Sequence, residues 1–110
     1  MATIMQWNCR GLYHHFEQLK LLLQQYNPAV LCLQETKLKA EQEILGLCNF
    51  SKYKKNYTQG IIASGGVALL VRNDIIQSEL ELNTPLQAVA ARVTLNGKAI
   101  SIISIYLHPD

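Results

Sequence analysis

Three polar side chains with the chemistry of a ligand site come at the ends of strand-like segments. Asn8, Glu35 and Tyr106 each lie at or just after the end of an apolar run. In layered α/β proteins, ligands bind at the edge where strands end. An amide, a carboxylate and a phenol that converge at such an edge would therefore form a candidate binding or catalytic site.

Each of these residues also has a simple structural explanation. Asn8 could be a turn former, since asparagine favours turns after strands. Glu35, between Gln34 and Thr36, could cap a following helix. Tyr106 could pack half-buried against the core, as tyrosines commonly do. Taken one at a time, the three residues leave the structural and functional interpretations open.

The first third of the chain predicts a strand, a helix and a second strand. Residues 3–8 form a short apolar segment, and residues 29–33 form a continuous apolar run. Between them, apolar side chains in 14–26 recur at steps of three and four, the spacing of an amphipathic helix that Asn27 and Pro28 would end. This order is typical of a layered α/β domain with strands buried on both faces.

The middle of the chain is less regular. Residues 39–47 predict a second, weaker helix, and the basic, aromatic segment 51–57 predicts an exposed strand. The lysines of 52–55, with Tyr53 and Tyr57, could bind nucleic acid through charge and stacking. We favour the other interpretation, an edge strand that lysine protects against aggregation.

The last part of the chain predicts a β-rich meander. Gly65-Gly66 introduces the buried strand 67–72, and a segment at 77–82 and a further strand after Pro85 follow. Asn96-Gly97 between two β-rich runs favours a type I′ hairpin turn. The strand 99–107 is apolar on both faces and is therefore expected to lie centrally in a sheet.

Size and composition allow one domain at most, or a piece of one. The 110 residues are 49% hydrophobic and 16% charged, against roughly 25% charged in an ordinary soluble domain. This composition excludes a disordered tail. It also indicates apolar surface that something outside the chain would cover. The net charge of +2 is too mild to indicate a nucleic-acid or membrane partner.

The cysteines and histidines indicate no metal or disulfide framework. Cys9, Cys32 and Cys48 are an odd number without C-x-x-C spacing, in apolar runs where a free thiol is expected to be buried. His14, His15 and His108 add no zinc-binding spacing. Without a signal peptide or a long apolar span, we expect an intracellular protein that does not enter a membrane.

Four strings, in this order, resemble the first half of the endonuclease/exonuclease/phosphatase superfamily, and most of all the apurinic-type endonuclease domain of non-LTR retrotransposon polyproteins. They are Gln6-Trp7-Asn8-Cys9-Arg10-Gly11-Leu12, Leu33-Gln34-Glu35-Thr36-Lys37, Gly65-Gly66-Val67-Ala68 and Ile105-Tyr106. The resemblance implies the N-terminal half of a four-layer α/β sandwich, in which two packed β-sheets of mostly antiparallel strands are flanked by helices. Residues 1–110 would then be a single incomplete domain.

The resemblance also implies a role for particular residues in cutting a DNA phosphodiester. Glu35 matches the carboxylate that holds Mg²⁺, with Mn²⁺ as a possible substitute, and Asn8 matches the asparagine of the metal and phosphate site. Tyr106 matches the tyrosine whose hydroxyl faces the scissile phosphate. Arg10 and Lys37 would contact backbone phosphates without reading sequence. One glutamate is enough for Mg²⁺, which keeps waters and substrate phosphate as further ligands.

The family's Gly-Asp-x-Asn and Ser-Asp-His motifs do not occur in this sequence. We therefore expect the chain alone to lack nuclease activity and to be marginally stable or aggregation-prone. In a full-length context it would be fused to a reverse transcriptase domain and located in the nucleus. The alternatives are a non-catalytic remnant, a small nucleic-acid-binding α/β module, or another phosphodiesterase of the superfamily such as a phosphoinositide phosphatase or a deadenylase.

Overall fold

A computed structural model describes residues 2–108, which contain nine strands, one α-helix and one short 3-10 turn. In chain order these are β1 (Ile4–Asn8), the 3-10 turn (Tyr13–His15), α1 (Phe16–Tyr26), β2 (Val30–Gln34), β3 (Phe50–Lys55), β4 (Thr58–Gln59), β5 (Ile62–Ala63), β6 (Val67–Arg72), β7 (Gln77–Leu80), β8 (Gln87–Leu95) and β9 (Lys98–Tyr106).

The first sheet has the strand order β1-β2-β6-β3. Strands β1 and β2 are parallel and joined through α1, so the predicted strand-helix-strand opening is confirmed. The helix ends where Asn27 adopts a left-handed backbone and its N–H bonds to the Leu23 carbonyl, a common helix terminus. The parallel pairing sets Asn8 opposite Gln34. The ends of both strands therefore lie at one edge of the sheet.

The second sheet is antiparallel, with the order β7-β8-β9. Asn96 and Gly97 connect β8 to β9 with φ values of 52° and 78°, and positive φ at both positions is what a type I′ turn requires. The predicted hairpin is confirmed. Strands β4 and β5 form a small separate hairpin.

The two sheets pack face to face, and α1 covers the other face of the first sheet. One buried cluster joins Leu19 and Leu23 of α1 to Leu31, Leu33 and other residues of the first sheet. A second cluster lies between the sheets and includes side chains from β2, β6, β8 and β9. The expected α/β fold of packed, mostly antiparallel sheets is confirmed. The described residues supply three layers, without a helix on the outer face of the second sheet.

The predicted helix at 39–47 is wrong, because this segment is irregular. Side chains from elsewhere satisfy its backbone groups: the Tyr13 hydroxyl donates to the Glu43 carbonyl and accepts from the Leu45 N–H, both at 2.8 Å. The Asn56 amide donates to the Lys39 carbonyl at 2.8 Å. Tertiary hydrogen bonds therefore replace the helical ones that this propensity favoured.

Two predictions of burial are also wrong. Strand β9 was expected to lie centrally but is an edge strand of the second sheet. Ile103 and Ile105 are 53% and 43% exposed, while Ile102 is buried against the first sheet. Cys9 and Cys32 are buried as predicted, but Cys48 is exposed, because it lies in the loop before β3 and not within a strand.

The basic segment forms an edge strand, which favours its structural interpretation. The Lys52 ammonium donates to the Gly46 carbonyl at 2.5 Å, and Lys54 pairs with Glu43 at 3.7 Å. Tyr53 donates to the Gln77 side chain at 2.7 Å, and Tyr57 donates to the Leu86 carbonyl. Neither helix within residues 2–108 has the length and apolarity needed to cross a bilayer.

Candidate active site

The segment that follows β2 is held on both sides by backbone hydrogen bonds. Towards the loop after β1, the Glu35 carbonyl accepts from Gly11 N–H at 2.7 Å and the Thr36 carbonyl from Leu12 N–H at 2.9 Å. Towards β6, Lys37 N–H donates to the Gly65 carbonyl at 2.8 Å. Glu35 has a left-handed backbone, with φ of 55°. These bonds fix a backbone conformation that non-glycine residues rarely adopt.

Gly66 is needed where this segment packs against the start of β6. Its φ is 94°, and a Cβ added there would overlap the Thr36 hydroxyl oxygen. Its N–H donates to the Gln87 side-chain oxygen at 2.8 Å, which ties the segment to the second sheet. The sequence predicted only a tight entry into the strand here. The structure adds that the glycine allows Thr36 and the Glu35 backbone to approach.

Glu35 and Tyr106 are in direct contact, although they are 71 positions apart in the chain. The Tyr106 hydroxyl donates to Glu35 Oε1 at 2.6 Å. This hydrogen bond raises the pKa of Tyr106 above its usual value, with smaller contributions from desolvation and from the carboxylate charge. The phenol is thus held neutral and its donor hydrogen points at the carboxylate.

A buried polar link next to this pair was not predicted from the sequence. The Gln34 amide donates to the Ser104 hydroxyl at 3.1 Å, and that hydroxyl donates to the Leu33 carbonyl at 2.9 Å. Gln34 directly precedes Glu35, and Ser104 is two residues before Tyr106 on the same face of β9. The link therefore fixes the position of β9 along β2, and with it the position of Tyr106 relative to Glu35. Its sequence signal was a serine that interrupts an isoleucine-rich strand.

Asn8 lies beside this pair on an open groove between the two sheets. The groove has a volume of about 550 Å³ and its lining includes Asn8, Gln34 and Tyr106 as well as Ile103 and Ile105 of β9. Asn8 is exposed at the end of β1, opposite Gln34 in the parallel register. The structure places Tyr106 in contact with Glu35 and on the same groove as Asn8, and a shared catalytic role for the three residues stays a prediction.

Arg10 and Lys37 lie on the two loops that continue β1 and β2 past the sheet edge. Both side chains are exposed, and both residues have left-handed backbones, with φ of 50° and 51°. Neither residue lines the groove itself. They place positive charge on the loops next to the Glu35 carboxylate, and whether they contact phosphate stays a prediction.

Cys9 is buried next to the backbone of Gln34 and Glu35, but it does not have the chemistry of a nucleophile or metal ligand. Burial raises the pKa of the Cys9 thiol to about 11, and the thiol donates to the Gln34 carbonyl at 3.4 Å. Since the thiolate is the reactive form, a thiol of this pKa is inert at neutral pH. Its role is to pack and to support the end of β2.

The oxygen donors of Asn8, on the groove, and of Glu35, which contacts Tyr106 but does not line the groove, are of the kind a hard divalent cation prefers. Glu35 provides a carboxylate and Asn8 an amide oxygen, and only Oε1 of Glu35 accepts a hydrogen bond within residues 2–108. Mg²⁺ uses oxygen ligands and binds through one or two carboxylates with waters and phosphates. In the same residues, no three His, Cys, Asp or Glu side chains cluster. Two oxygen donors of this kind suit Mg²⁺ held by few protein ligands.

Comparisons with known proteins agree with this architecture. The structure of a variant of the 3' phosphatase NExo from Neisseria, bound to a product DNA hairpin, superposes with a TM-score of 0.67 at 23% identity, over 96% of this chain and 41% of that chain. The 3'-5' exonuclease NExo from Neisseria meningitidis superposes with a TM-score of 0.62 at 24% identity, over 94% and 40%.

This chain thus spans about two-fifths of the length of these two structures. No curated protein sequence matches it significantly. Residues 5–105 match the family model described as the Endonuclease/Exonuclease/phosphatase family, a match that covers nearly the whole chain and includes Asn8, Glu35 and most of β9. The chain is therefore a member of the endonuclease/exonuclease/phosphatase family.

Proposed function

We propose that this chain supplies part of the active site of a Mg²⁺-dependent enzyme that hydrolyses DNA phosphodiesters. Glu35 and Asn8 would hold the metal ion, with Mn²⁺ as an alternative. The bound ion would polarise the phosphate and stabilise its developing negative charge. When a phosphate binds, the Tyr106 hydroxyl would turn its single hydrogen from Glu35 to a non-bridging phosphate oxygen. Arg10 and Lys37 would contact neighbouring backbone phosphates and orient the strand.

The observation that carries the proposal is the 2.6 Å hydrogen bond from Tyr106 to Glu35. It joins a neutral donor on one sheet to a carboxylate on the other, beside Asn8 and an open groove. A phosphodiester hydrolase needs a cation ligand and a hydrogen-bond donor within reach of one phosphate.

A metal titration followed by NMR tests the role of Glu35. We expect Mg²⁺ to cause saturable amide shifts around Asn8, Glu35 and Tyr106 in the wild-type chain, and none in Glu35→Gln. Glu41→Gln is the matched control, because Glu41 is exposed and, within the described residues, does not line the groove and has no hydrogen bond to Tyr106, and it should titrate like the wild type. Shifts that persist in Glu35→Gln, or that Glu41→Gln also abolishes, would contradict a specific site.

We further propose that the parent protein is a retroelement endonuclease with a fused reverse transcriptase, acting in the nucleus. The resemblance of the Gln-Trp-Asn and Gln-Glu-Thr strings supports this assignment. Extending the reading frame past residue 110 tests it: a Gly-Asp-x-Asn motif, a Ser-Asp-His motif and a polymerase-like segment would support it. An immediate stop codon would instead favour a non-catalytic remnant.

The reaction itself requires an assay on DNA. We propose that the 110 residues alone do not turn over, because the family's general base and late histidine are not among them. Incubation with Mg²⁺ should leave covalently closed plasmid intact. An oligonucleotide with a 3'-phosphate should also remain unchanged. Nicking or phosphate release that Glu35→Gln abolishes would overturn this part of the proposal while supporting hydrolysis.

A further inference from the structure

Two side chains of the second sheet form hydrogen bonds across the sheet interface to the loops of the first sheet. Tyr106, at the end of β9, donates to Glu35 just after β2. Gln87, at the start of β8, accepts from the Gly66 N–H at 2.8 Å just before β6. Because β2 and β6 are neighbours in the first sheet, the two bonds lie side by side. Gln87 therefore occupies on β8 the place that Tyr106 occupies on β9.

Gln87 and Tyr106 are also a direct cross-strand pair. The antiparallel register of β8 and β9 sets Gln87 opposite Tyr106, and directly opposed side chains lie on the same face of a sheet. That face packs on the first sheet, since Val89 of β8 and Ile102 of β9 belong to the cluster between the sheets. Alternation of side chains places Gln87 with Val89 and Tyr106 with Ile102. The position of each strand end is therefore coupled to that of the other.

Gly65 and Gly66 leave the space that the Gln87 bond requires. A Cβ added at Gly65 would overlap the Gln87 side-chain oxygen, and a Cβ added at Gly66 would overlap the Thr36 hydroxyl oxygen. Both glycines have left-handed backbones, with φ of 74° and 94°. The glycine pair thus packs against Gln87 of the second sheet and against the loop that follows β2.

From the glycine pair, backbone hydrogen bonds lead to the loop that carries Glu35. The Gly66 carbonyl accepts from the Thr36 N–H at 3.2 Å, and the Gly65 carbonyl accepts from the Lys37 N–H at 2.8 Å. Glu35 directly precedes Thr36 and has a left-handed backbone, with φ of 55°. A strained conformation of this kind persists only where the surrounding structure holds it. The contacts close a ring that consists of Glu35, Tyr106, Gln87 and the two glycines.

We propose that Gln87 is a positioning residue for the candidate active site, because its side-chain oxygen holds the glycine pair against the Glu35 loop while its strand position faces Tyr106. The role requires an acceptor oxygen of this reach. A methionine fills a similar volume but leaves the Gly66 N–H without this partner, which is costly for a buried donor. The use of Glu35 as a Mg²⁺ ligand rests on the function proposed above. The position of the Glu35–Tyr106 pair can be measured without metal.

Tyrosine titration and amide hydrogen exchange, both without metal, test the positioning role. In Gln87→Met we expect the pKa of Tyr106 to fall towards its usual value near 10. The Thr36 and Lys37 amides should exchange roughly tenfold faster relative to the amides of β2. An unchanged Tyr106 pKa together with unchanged exchange would overturn the proposal.

Gln77→Met is the matched control for this variant. Gln77 is also a half-buried glutamine of the second sheet, and its side-chain oxygen accepts from Tyr53 of the first sheet. It lies opposite Val93, six positions along β8 from Gln87. Gln77→Met should therefore leave the Tyr106 pKa and the relative exchange of the Thr36 and Lys37 amides as in the wild type. The same changes in both variants would indicate a general loss of stability and overturn the proposal.

Two further variants keep the test decisive. Gln87→Glu retains an acceptor oxygen at the same reach, so the Thr36 and Lys37 amides should exchange as in the wild type. Fast exchange in Gln87→Glu would overturn the role of the oxygen. If Gln87→Met does not fold, Gln87→Asn, whose acceptor is one methylene shorter, takes its place with the same expectations.

A Mg²⁺ titration separates this proposal from the proposed function. Gln87→Met should weaken Mg²⁺ binding roughly tenfold or more, as loss of a group that orients a metal ligand does, and Gln77→Met should not. A wild-type chain that binds no Mg²⁺ would overturn the proposed function, while a response of Tyr106 and the loop amides to Gln87→Met would still support the positioning role. Specific Mg²⁺ binding that Gln87→Met leaves unchanged, with the Tyr106 pKa also unchanged, would overturn the positioning role alone.

Discussion

Strands β2 and β9 have similar apolar sequences but very different surroundings. All five residues of β2, Val30–Gln34, are buried, because α1 covers one face of the first sheet and the second sheet covers the other. In β9 the residues that face the first sheet, Ile102 and Ser104, are buried, while Ile103 and Ile105 on the opposite face are exposed. Burial of a strand is thus decided by the layers that cover it, and not by its hydrophobicity.

The two sheets make different contributions to the candidate site. The first sheet supplies a rigid edge on which backbone bonds fix Glu35. The second sheet brings Tyr106 to that edge through the Gln34–Ser104 link. The site therefore depends on the packing of the two sheets.

The largest expected effect comes from truncating a side chain between the sheets. Leu69 of β6 is completely buried in the cluster between the sheets, so Leu69→Ala should lower the free energy of unfolding by about 2–5 kcal/mol. Ile103→Ala, on the exposed face of β9, should change it by less than about 1 kcal/mol. Urea unfolding at low protein concentration measures both. Equal losses would show that β9 is covered on both faces.

Substitution of Gly66 at the site or of Gly97 in the hairpin turn should have a smaller effect on the free energy of unfolding. Gly66→Ala forces a Cβ into the Thr36 hydroxyl at a φ of 94°, and should cost roughly 1–3 kcal/mol. Gly97→Ala meets no atom within 4 Å at a φ of 78°, so it should cost only the left-handed strain, about 1 kcal/mol. Thermal unfolding compares them. A Gly66→Ala variant as stable as Gly97→Ala would mean that Thr36 moves freely.

The smallest effect concerns the ionisation of Tyr106. Its pKa is raised because its hydroxyl donates to Glu35, so Glu35→Gln should lower the pKa of Tyr106 towards the usual value near 10. Tyrosine ¹³C shifts followed with pH resolve this residue from the other four. Because the folded pKa is raised, the stabilisation is complete below the unfolded pKa and is lost as pH rises through the folded value. An unchanged titration in Glu35→Gln would contradict the hydrogen bond.

Much of the fold could be predicted because its signals are local. The periodic apolar positions of α1, the run that forms β2 and the Asn96-Gly97 turn depend on neighbours in sequence. The helix expected at 39–47 was wrong because the Tyr13 hydroxyl and the Asn56 amide, distant in sequence, bind its backbone. Local propensity does not contain such contacts.

The candidate site also contains residues that could be predicted from the sequence and contacts that could not. Asn8, Glu35 and Tyr106 could be named from the sequence because they stand at strand ends within a family's motifs. The buried Gln34–Ser104 link could not be named, because it forms only when β9 packs on β2. The exposure of Cys48 was missed as well, since its neighbours in sequence are apolar but its loop has no layer above it.

The sequence by itself determined most of the strands, helix α1, the family and the identity of the polar groups, because these follow from side-chain chemistry and short-range spacing. Only the tertiary structure decided that Tyr106 meets Glu35 across 71 positions and that Ile103 and Ile105 of β9 are exposed among the described residues. Both depend on how two sheets pack and on which layers cover them. Those are properties of long-range burial, which no short segment of the chain specifies.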